Sequence, residues 1–179
     1  MNLKFFTANN GYCEFLRKVD PCVPYIHDDK NIRPFVGIVL TVNGFDYFAP
    51  LTSPKLKHRG MKNQTDFMKI NGGIWGAVNF NNMIPIHASC LTEVDMNILA
   101  TDNKAESDYK NLLVNQLSWC NANKDRIIIQ AKKLYHVIVT GKARSELVKR
   151  CCNFTLDEER YHEYCELHGL DILKNNFPL

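Results

Sequence analysis

The sequence predicts an α+β protein: a small antiparallel β-barrel in the first half, with helices packed on it from a mostly helical second half. Three observations predict this. Between Leu3 and His87 about six short aromatic and β-branched runs are separated by tight-turn signals. After Thr92 the apolar period changes from that of a strand to the 3.6 residues of a helix. The 179 residues are 45% hydrophobic and 23% charged, enough for one globular domain, taken as residues 1–179, with its own core.

The elements follow in order. Leu3–Thr7 is a first strand. Asn10 is expected to cap a helix from Gly11 to about Val19, because Tyr12, Phe15, Leu16 and Val19 share one face. Pro21 and Pro24 end it, and a polar loop runs to Arg33. Phe35–Thr41 and Phe45–Leu51 form a hairpin, since the two-residue link Asn43-Gly44 suits a type I′ turn with positive φ at both positions. Pro50 has no N–H to donate and points to an edge or a frayed strand. Pro54 holds Ser53 extended. Thr65–Ile70, Ile74–Phe80 and Met83–His87 supply three more strands across Gly72-Gly73 and Asn81-Asn82. Six short strands argue for a barrel closed or nearly so, because closure limits open edges.

In the second half, Thr92 and Asp95 have capping-box spacing and predict a short helical turn. Tyr109, Leu112, Leu113, Leu117 and Cys120 share one helical face. Ile127, Ile128, Ala131, Leu134, Tyr135 and Ile138 share another. The break at Asn121–Lys124 suggests an antiparallel pair ended by Gly141. Thr155 and Glu158 form a capping box for a last helix through about Leu167, ended by Gly169.

Several function classes are excluded. No apolar run approaches the roughly 20 residues of a membrane span, and no basic amphipathic helix suits a membrane surface. The apolar part of the N-terminus is too short for a signal peptide, so a cytoplasmic location is expected. The seven cysteines are odd in number and lack a CxxC pair, which argues for reduced, mostly buried thiols and against a disulfide framework or zinc motif. The six histidines form no HExxH pattern, so no catalytic metal and no cofactor are expected. P-loop, GxGxxG and GxSxG patterns are absent.

Charge points elsewhere. The formal net charge is only +3, but Ser53–Thr65 carries four Lys/Arg and no acid. Lys142, Arg144, Lys149 and Arg150 form a second basic segment with only Glu146 against them. Local basic patches on a nearly neutral chain suggest an anion site, whereas solvated surface charge is the alternative for the second segment. Lys57, His58, Arg59, Lys62, Lys142, Arg144, Lys149 and Arg150 are therefore the candidate RNA contacts.

The hairpin delivers Thr52, Ser53 and Lys55 to the edge of the first basic run. Two hydroxyls and an ammonium suit the stabilisation of a phosphorane formed when a ribose 2′-OH attacks the adjacent phosphorus. That reaction needs neither metal nor water as nucleophile. Arg33, just before the second strand, is placed to face the same groove. His58 and Tyr12 are both candidates for the base. Tyr12, Phe5 and Phe6 have rings that stack on bases, although core packing suits Phe5 and Phe6 better. By itself, Thr-Ser-Pro-Lys also fits an ordinary polar turn after a strand.

With these residues assembled, the chain resembles the ToxN/AbiQ family of endoribonuclease toxins from type III toxin–antitoxin systems. The resemblance rests on LKFFT with Tyr12 and EFL, on RPFVGIVL, and on YFAPLTSPK at Tyr47–Lys55. MIPI at Met83–Ile86 and Cys152-Asn153-Phe154 before LDEERY complete it. It implies an SH3-like, MazF-like barrel with added helices, Thr52 and Ser53 at the active site, Lys55 beside it, and Tyr12 helping to form it. Arg33 falls where relatives can carry lysine; its guanidinium keeps the charge but cannot exchange a proton at usable pH. Lys57 replaces an aromatic of some relatives, while His58 matches a basic-run histidine. The family further implies a folded repeat RNA as antitoxin, cut by the toxin itself from a repeat precursor. It also implies closed toxin–RNA rings and cellular or phage mRNA as substrate in abortive infection. The competing readings are an RNA-binding module without catalysis and a MazF-type toxin with a protein antitoxin.

Overall fold

The computed structural model describes residues 2–25 and 34–172. Strands are β1 (Lys4–Ala8), β2 (Phe35–Val42), β3 (Phe45–Thr52), β4 (Phe67–Lys69), β5 (Ala77–Asn79), β6 (Ile84–Pro85) and β7 (Leu91–Glu93). Helices are α1 (Asn10–Arg17), α2 (Leu56–Gly60), α3 (Lys104–Ala122), α4 (Lys124–Val139), α5 (Ser145–Val148) and α6 (Phe154–Leu167).

The strands form one antiparallel sheet in the order β4-β5-β3-β2-β1-β7, with β6 added on β3. The sheet is open, which corrects the expectation of a closed or nearly closed barrel. Its terminal strands, β4 and β7, have three residues each and pair with β5 and β1 respectively. Such short strands offer few ladder bonds with which to close a ring. Helices cover the sheet instead: α4 packs on β2 and α6 on β6.

The β2–β3 hairpin is the centre of the sheet. Asn43 (φ 51°) and Gly44 (φ 85°) make the tight turn, and Val42 pairs with Phe45 beyond it. The register shifts between Val36 and Leu40. There Gly37 leaves room for the Phe48 ring, which any side chain on Gly37 would overlap. Pro50 lies opposite Phe35 inside β3, not at its end. The other edge of β3 is divided: Tyr47 and Phe48 face β6, while Leu51 and Thr52 face β5. Pro50 falls in the gap, where no ladder bond is required of it.

Phe5, Phe35, Tyr47, Phe48, Phe80 and Phe154 are fully buried in the core. Each contributes roughly 1.5–3 kcal/mol by leaving water. Phe5 and Phe6 are thus core residues. Polar clamps fix the helices. Tyr47 and Tyr135 both donate to Glu158 Oε1, at 2.7 and 2.8 Å, tying β3 and α4 to α6. Asn121 at the end of α3 accepts from the Leu3 N–H (2.8 Å) and donates back to its carbonyl (3.1 Å), much as a neighbouring strand would.

Several local expectations are corrected. The cap of α1 is Asn9, not Asn10: its side chain accepts from the Tyr12 N–H. The cap of α6 is Asn153, not Thr155. Thr92 pairs with Thr7 in β7 instead of starting a helical turn, because the free edge of β1 offers backbone partners that a capping box cannot match. The antiparallel helix pair is absent. Only Asn123 separates α3 from α4, and bonds from Asn123 to Trp119 and from Ile127 to Asn123 carry the helical ladder through the joint. Chain reversal between helices takes about 2–5 loop residues. Gly141 and Gly169 do follow their helices as expected, at positive φ.

All seven cysteines are free, and all but Cys22 are buried. Among the described residues, no helix is long and apolar enough to cross a membrane.

Candidate active site

Thr52 closes β3, and Ser53–Lys55 follow as an irregular stretch before α2. Leu51 donates to the Pro34 carbonyl (2.8 Å), and Thr52 pairs with Ala77. The end of β3 is therefore held from both sides. A second brace comes from the 70–76 turn. A side chain on Gly76 would overlap the Thr52 carbonyl oxygen, and one on Gly73 would press on the His58 carbonyl at 2.7 Å. Backbone thus lies directly on backbone, which fixes both ends of the Thr52–His58 segment.

The groups offered there differ in kind. Thr52 Oγ1 is buried and has no hydrogen-bond partner. A hydroxyl left unpaired in a well-packed strand is uncommon, and binding or catalysis is one reason to keep it so. Ser53 and Lys55 are exposed. Lys55 has extended backbone (φ −137°, ψ 142°) and accepts the His58 N–H at 2.9 Å, so the lysine stands at the mouth of α2.

His58 is only 3% exposed, its ring rests near Phe67, and its Nδ1 has no partner. Burial first, then the charges of Lys55 and Lys57, push its pKa below the usual histidine value. It is therefore a neutral imidazole at pH 7, not a surface cation. Lys57, Arg59 and Lys62 are exposed around it. The first acid after this run, Asp66, is already taken: Arg150 donates to both of its oxygens, at 2.6 and 3.0 Å.

Tyr12 is not brought to this turn. It is fully buried, donates its hydroxyl to the Pro85 carbonyl, and meets Tyr164 edge to face. Pro85 pairs with Tyr47, five residues back along β3 from Thr52, or roughly 16 Å at strand rise. Burial, followed by Cys13 and Asp157, raises the Tyr12 pKa well above normal, so it stays protonated. Arg33 lies outside the described residues.

The second basic segment forms one wall of a groove of about 570 Å³. Lys133 and Val137 of α4, Lys142, Arg144 and Leu147 line it opposite Gln64–Asp66. Lys142, Arg144 and Lys149 are exposed. Arg150 is half committed to Asp66 and Gln64, which the sequence did not reveal. The groove starts two residues beyond Lys62, so both basic regions share one stretch of surface chain. Among the described residues one group has metal-ligand character: Asp20, Cys152 and Asp157 place their donor atoms within 4.8 Å of one another. Sequence spacing could not find it, because Asp20 is far from the other two along the chain.

Comparison with known proteins places the chain alongside type III toxins. The family model described as Toxin ToxN, type III toxin-antitoxin system, matches residues 4–162. Endoribonuclease ToxN of Pectobacterium atrosepticum is 34% identical over 170 residues, covering 90% of this chain and 94% of that protein. A solved type III toxin–antitoxin structure, reported as selective toxin inhibition by a non-coding RNA pseudoknot, superposes with a TM-score of 0.76. It has 33% identity and covers 93% of this chain and 99% of that one. AbiQ, a lactococcal anti-phage endoribonuclease of a type III system, gives a TM-score of 0.78 at 26% identity. It covers 93% of this chain and 99% of its own.

Proposed function

The chain belongs to the ToxN family of type III toxin–antitoxin toxins, and from that premise we propose how its own residues act as an endoribonuclease held in check by RNA. The observation that carries the reading is the Thr52–Lys55 turn. An orphan hydroxyl, an exposed hydroxyl and an exposed ammonium are held together on a braced strand end.

A strand of RNA lies along Lys57, Arg59 and Lys62, which hold its phosphates. The 2′-OH attacks the neighbouring phosphorus, the P–O5′ bond breaks, and the products carry 2′,3′-cyclic phosphate and 5′-OH ends. Thr52 and Ser53 donate to the phosphorane oxygens, and Lys55 offsets their charge. Of the two base candidates, His58 is better supported than Tyr12. It is neutral at pH 7 and keeps an unpartnered nitrogen, whereas the Tyr12 hydroxyl is protonated and engaged. Tyr12 is read as a packing residue that steadies the fold. Arg33 contributes fixed positive charge and no proton.

The partner is a folded RNA, cut by the toxin from a repeat precursor, that fills the same turn in a closed toxin–RNA ring. The groove with Lys142 and Arg144 gives it a second foothold, with Lys149 beside it. The chain acts as one domain, 1–179, in the cytoplasm, against cellular or phage mRNA during abortive infection.

The test is cleavage of single-stranded RNA in EDTA, with DNA of the same sequence as control, since only RNA carries the nucleophile. Cyclic-phosphate ends are expected on RNA and no cutting on DNA. Protein that remains folded by circular dichroism in EDTA, yet stops cutting until a divalent ion returns, would overturn this chemistry.

A further inference from the structure

A group of donors with no part in the proposed RNA chemistry lies where the turn after α1 meets the start of α6. We propose that Asp20, Cys152 and Asp157 form a structural Zn²⁺ site that ties these two segments together. The donor atoms of the three lie within 4.8 Å of one another, and all three residues are buried.

Asp157 makes the case. It is 0% exposed, and neither of its carboxylate oxygens has a hydrogen-bond partner. The other carboxylate of the group, Asp20, is acidic too, so no positive charge offsets Asp157 within the cluster. An isolated buried carboxylate is too costly to keep, so it must take up a proton or a cation. No donor satisfies either Asp157 oxygen, and the polar atoms gathered with it are the Asp20 carboxylate and the Cys152 sulfur, which are themselves metal-ligand types. A metal ion needs only to sit between the donors.

Asp20 is already oriented for that role. Its Oδ1 accepts the Cys22 N–H at 2.8 Å and its Oδ2 accepts the Asn153 N–H at 2.7 Å, the kind of outer bonding that fixes a ligand carboxylate. Cys152 is held by its N–H to the Asn81 carbonyl (2.8 Å). Zinc with bonds of roughly 2.0–2.3 Å to oxygen and sulfur brings such donors to within about 4 Å of each other, a small closing movement. A thiolate among the donors selects Zn²⁺ over Mg²⁺ or Ca²⁺. Uptake releases the Cys152 thiol proton and the Asp157 proton, and the two unpartnered oxygens of Asp157 allow it to bind through both.

The site joins the Asp20–Val23 turn, the 80–82 turn and α6, with Asn82 also donating to the Cys22 carbonyl at 2.7 Å. None of these residues belongs to the Thr52–Lys55 turn, so the ion's role is to hold the fold.

The experiment uses the full chain carrying Ser53→Ala, chosen so that cells tolerate it, purified in zinc-free buffer. Zinc alone is titrated while bound metal and thermal unfolding are followed. About one zinc per chain is expected. The Tm should rise by roughly 5–10 °C at a hundredfold excess over the dissociation constant. Cobalt should give a thiolate charge-transfer band that persists in Cys120→Ser and vanishes in Cys152→Ser. Absence of zinc uptake, a Tm indifferent to zinc, or a cobalt band that survives Cys152→Ser overturns the site. Should Cys152→Ser fail to fold, the titration of the parent chain decides alone.

Discussion

A side chain on Gly76 would overlap the carbonyl oxygen of Thr52. Gly76 has a φ of +91° and immediately precedes Ala77, the β5 partner of Thr52. The position of the candidate catalytic hydroxyl is thus set by a turn more than twenty residues away in sequence. Gly76→Ala is expected to cost at least about 1–3 kcal/mol in backbone strain alone and to displace Thr52. Gly72→Ala is the control: φ is +65° there too, but nothing lies within 4 Å. Urea unfolding and RNA cleavage should therefore separate the two. Gly72→Ala loses some stability and keeps its cleavage rate at a temperature where it is folded, and Gly76→Ala loses both. Equal activity of the two folded variants would mean that the Thr52 carbonyl does not set the site.

Ser53 and Lys55 are both exposed on the same short stretch, yet their removal should read differently. Ser53→Ala removes a donor that matters most to the phosphorane, with a loss of roughly 10²–10³ in rate. Its affinity for the RNA antitoxin should be nearly normal. Lys55→Ala also removes charge felt by ground-state phosphate, so cleavage and binding should fall together. Toxicity without antitoxin, and antitoxin titration, measure the two effects. A folded Ser53→Ala chain that stays fully toxic rules out this site.

Some of this was legible in the sequence for physical reasons. Asn43-Gly44 announces its hairpin because few residue pairs tolerate two positive φ values, and YFAPLTSPK fixes where β3 ends. Apolar residues at helical spacing gave α3 and α4, and the Thr155–Glu158 spacing gave α6, although Asn153 caps it. Other features depend on distant partners and left no local trace. His58 reads as one more cation of a basic run, but the turn from Asn71 to Gly76 and Phe67 enclose it. Arg150 reads as a free charge, but Asp66 holds it. Thr92 carries capping-box spacing, but the open edge of β1 takes it as a strand. Closure of the barrel failed for the same reason. Turn signals count strands, whereas ladder length, which decides closure, is settled by packing.

Arg150 and its neighbours give a test of stability against binding. Arg150→Ala leaves Asp66, whose side chain is 7% exposed, without its bidentate partner. Because the arginine itself is about half exposed, screening reduces the effect, and a loss on the order of 1–2 kcal/mol is expected. Lys142→Ala with Arg144→Ala should leave stability unchanged and weaken antitoxin binding. It should also flatten the salt slope by roughly 0.7 per lost phosphate contact on single strands. Unfolding curves and a salt series of titrations check both. Unchanged slope and affinity in the double variant would reduce that wall of the groove to solvated surface.

Asp157 makes stability depend on pH in an unusual direction. Its folded pKa is about 8, against 3.8 as an ordinary aspartate, so between these values the folded chain binds more protons than the unfolded one. Stability in zinc-free buffer is therefore full below about pH 4 for this group and falls as pH rises through about 8. His58 acts oppositely. Its pKa is lowered, so the stability it contributes is present above the ordinary histidine value near 6.5 and is lost as pH falls. The interval from about pH 6.5 to 8 thus isolates Asp157, since the buried thiols raise their own dependence only above the ordinary cysteine range. Urea unfolding of the parent chain in zinc-free buffer should show stability falling across this interval. Asp157→Asn, which keeps the shape and removes the titration, should flatten that slope and be the more stable protein at pH 8. A saturating zinc concentration should rescue the parent at pH 8 and leave Asp157→Asn unmoved. A parent chain whose stability is level from pH 6.5 to 8 without zinc would mean that the buried carboxyl is already neutralised by something other than a proton or this ion.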